Sequence, residues 1–203
     1  MINHPFFQLD DRILSASEQA MQRLEPVIRR IDEVAGYNQQ KMLAAFNRAR
    51  VSESHFVGTT GYGYGDRGPD VLDEVYAYAL GAEDALVRAN FVSGTHALTV
   101  ALFGVLRPGD TMLSVTGIPY DTLRGVLGIT GNGNGSLKEF GVKYEQLDLK
   151  EDGTPDYEEM ERRIHPGLKM VYIQRSRGYS LRPSLFIEDI ERIAKIAKRR
   201  APG

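Results

Sequence analysis

The sequence contains no cysteine, which excludes disulfides, thiolate catalysis and Cys-type zinc sites. No apolar run approaches the length of a membrane span. The first residues, MINHPFFQLDDR, lack the basic and apolar regions of a secretion signal. The histidines are His4, His55, His96 and His165; none forms H-E-x-x-H, and their spacing suggests no metal site. G-x-x-x-x-G-K-[ST] and G-x-S-x-G are both missing, which speaks against an ordinary nucleotide triphosphatase and a hydrolase elbow. A net charge of -2 gives no reason to expect nucleic acid or an acidic membrane surface. There is no internal repeat and no low-complexity tract. The expectation is a cytoplasmic protein with no nucleic-acid or membrane partner.

What is present has a globular balance, with 42% hydrophobic and 26% charged residues. A length of 203 residues suits one domain or a large part of a bigger one. The organising stretch is VSGTHALTVALFGVL, residues 92–106. Ser93, Gly94 and Thr95 read as a turn into a helix, and Gly94 lets backbone approach a ligand closely. Ala97, Leu98, Val100, Ala101, Leu102 and Val105 cover most faces of that helix, which predicts burial. Its first N–H groups lack intrahelical partners and lie at the positive end of the macrodipole. Such a tip suits a phosphate. Ser93 or Thr95 simply capping a core helix is the alternative.

Residues 9–50 read as two helices separated by Gly36, packing on another domain or subunit. Residues 50–69, RVSESHFVGTTGYGYGDRGP, form a glycine loop carrying Tyr62 and Tyr64. A helix then runs from Asp70 to a stop at Gly81, and residues 85–92 suggest a short strand and turn. Three strands follow at 111–116, 142–149 and 169–174. Helices at about 120–127, after Ser136, at 156–164 and at 186–200 are interleaved with them. Alternating strands and helices predict parallel strands joined by crossovers, with both sheet faces covered. The rhythm at residues 201–203 calls for another strand, so the expectation is the front part of a longer protein. The division expected is a helical segment 1–50 and the first part of a large domain at 51–203.

Residues 63–68, GYGDRG, match G-x-G-x-x-G, but residues 52–60 are too polar and glycine-broken to be the strand that a dinucleotide site requires. Tyr120 follows a strand and a Gly-Ile-Pro loop, at the carboxyl end of the sheet where open α/β folds bind ligands. It either stacks on a flat cofactor or packs at a helix start. Arg175 and Arg177 also follow a strand, where paired guanidinium donors can clamp a carboxylate or phosphate.

Taken in order, TTGYGYGDRG, VYAYALGAEDALVRANFVSGTHAL, ALFGVLRPGD, PYDTL, GSLKEFG and IQRSRGYSLRPSL resemble one family. It is the methionine gamma-lyase-like group, also labelled aluminium-resistance proteins. This is a branch of the cystathionine-metabolism enzymes, which use pyridoxal phosphate and have the aspartate-aminotransferase-like (fold type I) α/β fold. The resemblance covers the chain from about Phe46 onward; RSRGYSLRPSL and VSGTHAL are its most specific segments.

The resemblance implies roles at matching positions. Ser93, Gly94 and Thr95 would hold the cofactor phosphate, and Tyr120 would stack on the pyridine ring and assist proton transfer. Tyr62, Tyr64 and Arg67 would reach the phosphate of a neighbouring subunit's cofactor. Relatives in the wider group have Tyr-x-Arg there, an arrangement this sequence lacks, so either tyrosine remains a candidate. Arg175 and Arg177 would contact substrate carboxylate or cofactor; the asparagine common near this position in the wider group is missing. None of the lysines fits the place of the Schiff-base lysine, so that lysine and the pyridine-binding aspartate are expected beyond Gly203. The implied activity is β- or γ-elimination from a sulfur-containing amino acid, by a homodimer or homotetramer with shared sites. The alternative is a scaffold or dimerisation fragment without cofactor.

Overall fold

The computed structural model describes Phe6 and residues 8–202, so His4 lies outside the described residues. The chain divides into two compact units, residues 1–89 and 90–203.

In the first unit, α1 is one continuous helix, Asp11–Arg48, where two helices were expected. A single interior glycine costs about 1 kcal/mol relative to alanine. That penalty at Gly36 is small against the many helix-favouring residues on either side. Asp10 caps the start, its carboxylate accepting from the Arg12 N–H at 2.9 Å. α2, Arg67–Leu80, begins three residues earlier than the sequence suggests, because Pro69 sits in its first turn, where its missing N–H has no intrahelical role. Gly81 closes α2 in the left-handed conformation, as expected. Ala45 and Ala49 of α1 and its end pack against Val75 and Ala79 of α2. The helical segment ending at residue 50 therefore shares its core with the helix beyond the glycine loop.

Residues 85–88 form no strand. Side chains replace ladder partners there. Asp73 accepts from the Val87 N–H and from the Arg88 guanidinium, both at 2.7 Å, fastening the segment to α2.

In the second unit the strands β1 (Thr111–Ser114), β2 (Lys143–Gln146) and β3 (Met170–Tyr172) lie in the order β2-β1-β3, all parallel, as the alternation predicts. The helices are α3 (Gly94–Val105), α4 (Asp121–Leu127), α5 (Tyr157–Arg163) and α6 (Ile187–Arg200). β1 is central, and its successive residues face opposite layers. Met112 packs with Leu102, Leu106, Leu123 and Leu127 from the α3 and α4 side. Leu113 and Val115 pack with Met160, Ile164, Ile193 and Ile196 from the α5 and α6 side.

Two expectations fail locally. The Ser136–Glu139 capping pattern forms, with the Ser136 hydroxyl accepting from the Glu139 N–H at 3.2 Å, but no helix follows. Gly141, at φ 82°, turns the chain into β2 before a second helical turn can form. The expected all-round burial of α3 is also not observed. Leu102 is buried, whereas Leu98, Val100 and Val105 are 45%, 44% and 48% exposed. A helix on a sheet face buries one side against it, and an apolar composition cannot say which neighbours cover the rest.

Leu113 is fully buried, so Leu113→Ala should lower stability by about 2–5 kcal/mol, read from the midpoint of urea denaturation. High pH should act through two phenols. Burial first, and then the hydrogen bond to Asp189, pushes Tyr157 up to about 12. Burial first pushes Tyr144 up to about 12 as well. Between about pH 10 and those folded values the native state holds more protons than the unfolded state. This contribution to stability is therefore complete below about pH 10 and is lost as the pH rises through about 12. Tyr157→Phe should flatten part of the decline in a denaturation series across that range.

Candidate functional site

Parallel strands send all their carboxyl ends to one edge. Here a cleft of about 440 Å³ opens at that edge, lined among others by Thr116, Tyr120, Asp148, Gln174, Arg177 and Tyr179. The turn after β1 is held by the Ser114 hydroxyl, which donates to the Gly117 carbonyl at 2.6 Å. The Gly117 N–H in turn donates to the Leu147 carbonyl at 2.9 Å. This brings Tyr120 to the N-cap of α4.

α3 starts beside α4. Its N-cap, Ser93, accepts from the His96 N–H at 3.1 Å, as the capping alternative predicts. The Ala97 N–H goes to the Ser93 carbonyl at 3.1 Å. The amides of Gly94 and Thr95 have no acceptor among the described residues. Gly94 is exposed, and a Cβ built on it would meet nothing within 4 Å. The cap and an anion-binding tip are therefore compatible, since Ser93 uses only the third amide of the helix. The Thr95 and Thr122 hydroxyls share a hydrogen bond of 2.8 Å, joining the first turns of α3 and α4. Thr122 was not singled out from the sequence; its presence in the PYDTL segment was the only signal.

Tyr120 is partly exposed, with its ring 5.9 Å from that of Tyr179 at an interplanar angle of 31°. A hydrogen bond with Tyr179 raises the Tyr120 phenol pKa, with small additions from burial and the Asp121 charge. Gly178 lies against the same ring at φ 56°, and a Cβ there would fall 2.9 Å from a Tyr120 ring carbon. Glycine meets both the backbone and the space requirement.

Arg177 lines the cleft. Arg175 is exposed, and its carbonyl accepts from the Leu185 N–H at 3.3 Å. A third arginine, not selected from the sequence, shapes this loop. The Arg182 guanidinium donates to the carbonyls of Ser176 and Pro183, each at 2.9 Å, and of Gln174 at 3.3 Å. Burial lowers its pKa.

In the first unit, Tyr62 and Tyr64 are 81% and 89% exposed, and Arg67 opens α2. The loop is shaped by Asp66, whose buried carboxylate accepts from the N–H groups of Gly61 and Gly63 at 3.1 Å each and from the Thr60 hydroxyl at 3.3 Å. The described histidines make local contacts. Nδ1 of His55, His96 and His165 accepts from the N–H of Ser52, Val92 and Gly167 respectively. No helix among the described residues is long and apolar enough to cross a membrane.

The methionine gamma-lyase family profile matches residues 13–203. A carbon-sulfur lyase involved in aluminum resistance from Clostridium novyi NT is 52% identical and superposes with a TM-score of 0.87, over 94% of this chain and 46% of its own. A structure from Listeria innocua, ascribed to a cystathionine beta-lyase involved in aluminum resistance, is 43% identical with a TM-score of 0.90, over 95% of this chain and 47% of its own. The YnbB protein of Bacillus subtilis (strain 168) is 45% identical over 171 residues, 84% of this chain and 41% of that protein. The chain thus spans less than half the length of each of these relatives. With an α/β fold built on a parallel sheet and a match over nearly its whole length, the chain belongs to the methionine gamma-lyase family.

Proposed function

We propose that this chain supplies the phosphate- and ring-binding side of a pyridoxal 5′-phosphate site in a carbon–sulfur lyase acting on a sulfur-containing amino acid. The single observation that carries this reading is the α3 tip. The Gly94 and Thr95 amides have no acceptor among the described residues, a Cβ on Gly94 would meet nothing within 4 Å, and the Thr95 and Thr122 hydroxyls join α3 to the helix that Tyr120 caps. The donor set fits a phosphate monoester, because backbone N–H groups at a helix start and hydroxyls favour an anion.

In this reading Gly94 and Thr95 bind the phosphate through their amides, and Ser93 keeps the helix start rigid. Tyr120 presents its ring to the cofactor ring, and its phenol holds a proton for transfer at its Oη. Arg177, and Arg175 on the same loop, attract the carboxylate of an amino-acid substrate. Tyr62, Tyr64 and Arg67 serve the site of a second copy. When bound, the cofactor supplies an electron sink that permits β- or γ-elimination. The lysine and aspartate that complete such a site are assigned to the part of the relatives' length that this chain does not span, and the chain alone is inactive.

A second reading concerns assembly, and a different observation favours it. Ile13, Leu24, Val27, Ile31 and Val34 are exposed along α1 at helical spacing. A long helix with a bare apolar stripe gains stability by covering it. Homo-oligomerisation through α1 is the form proposed.

Gly94→Pro tests the anion site. Proline is well tolerated at the first position of a helix and removes one N–H, and the preceding Ser93 is already extended at φ -161°, ψ 163°. Equilibrium dialysis should show pyridoxal 5′-phosphate affinity falling by about tenfold with helix content unchanged, as expected for loss of a charge-assisted hydrogen bond. Equal binding by variant and parent, or no binding by either, would sink the reading. For the assembly reading, Ile31→Lys should shift the sedimentation of the chain from oligomer to monomer. A parent chain that sediments as a monomer contradicts it.

A further inference from the structure

Tyr120 has no side-chain bond capping the helix it starts, and its ring is partly exposed at the cleft. Something other than burial must hold it. Its backbone N–H donates to the side-chain Oε1 of Gln174 at 2.7 Å, across 54 positions of sequence. The other end of the same amide is also engaged, with Nε2 donating to the Ser176 carbonyl at 3.2 Å. Gln174 is itself anchored, its N–H donating to the hydroxyl of the buried Thr116 at 2.9 Å. The loop that leaves Gln174 returns at Gly178 to lie against the Tyr120 ring. Arg182 pins that loop through the Gln174 and Ser176 carbonyls. One loop therefore holds Tyr120 twice, by its backbone through Gln174 and by its ring through Gly178.

We propose that Gln174 is a positioning residue for Tyr120. Its side-chain amide couples the connection after β1 to the connection after β3 and sets the stance of the ring in the cleft. Gln174 acts here through Tyr120, since both ends of its side-chain amide are engaged by the Tyr120 N–H and the Ser176 carbonyl. Glutamine suits the task because it accepts from one backbone and donates to the other with a single planar group. Leucine can do neither; glutamate keeps the acceptor and loses the donor. The consequence for ligand binding rests on the reading of Tyr120 as the residue that stacks on the cofactor ring. The consequence for Tyr120 itself does not.

The test compares the full chain with Gln174→Leu and Gln174→Glu, using amide hydrogen exchange and binding of two probes, inorganic phosphate and pyridoxal 5′-phosphate. In Gln174→Leu, exchange at the Tyr120 amide should accelerate by about tenfold, while the Leu123 amide, bonded to the Tyr120 carbonyl at 2.9 Å, keeps its protection. Affinity for pyridoxal 5′-phosphate should fall by about tenfold, with inorganic phosphate binding unchanged. Gln174→Glu should restore protection at Tyr120. Unaltered Tyr120 exchange in Gln174→Leu overturns the positioning role. So does parallel loss of protection at Tyr120 and Leu123, or of affinity for both probes, since either marks general loosening. A parent chain that binds phosphate but gains nothing from the pyridoxal ring overturns the stacking role of Tyr120 alone, and the exchange result still decides the role of Gln174.

Discussion

Pairing of β1 with parallel neighbours on both sides is the constraint from which the candidate site follows. Thr111, Met112, Leu113 and Ser114 align with residues 143–146 on one side, and Met112, Leu113 and Ser114 with residues 170–172 on the other. All three strands then end at the same edge. Each exit must turn into a helix on one face or the other, so turns, helix starts and their unpaired amides collect there. The chemistry attributed to Gly94, Thr95, Tyr120 and Arg177 depends on that convergence more than on any one residue.

The layers on either side of β1 form the apolar base of that edge. Met112 and Leu113 are fully buried, each in a separate cluster. The turns around the cleft above them are held by polar contacts instead: Ser114 to Gly117, Thr116 to Gln174 and Gln174 to Tyr120. A hydrophobic base fixes the strand ends, and a short network of hydrogen bonds aims the side chains above it. Such bonds contribute about 1 kcal/mol each, but their directionality specifies orientation that apolar packing leaves loose. The first unit uses the same device, in the buried Asp66 carboxylate that draws the Gly61 and Gly63 amides together and leaves Tyr62 and Tyr64 outward.

What sequence reasoning missed has a common physical origin. Gly36 punctuates the pattern of α1, yet a modest local penalty does not break a helix whose other residues favour it. Residues 85–88 are apolar enough for a strand, but Asp73 supplies the hydrogen bonds that a neighbouring strand would have given. Ser136 and Glu139 make their capping contact, and the chain direction after Gly141 decides that no helix grows from it. Thr122, Gln174 and Arg182 carry no distinguishing local pattern; each matters because of a partner far away in the chain or on another turn.

Period and punctuation in the sequence alone determined the alternation of strands and helices, the parallel sheet and a cap at Ser93 or Thr95, while the quoted segments carried the family resemblance. These are properties of residues close together along the chain, where side-chain period and backbone preference act directly. Tertiary structure alone decided which faces of α3 are covered, that Thr95 meets Thr122, and that Gln174 grips Tyr120. Those depend on distances between segments that only the packed sheet brings together.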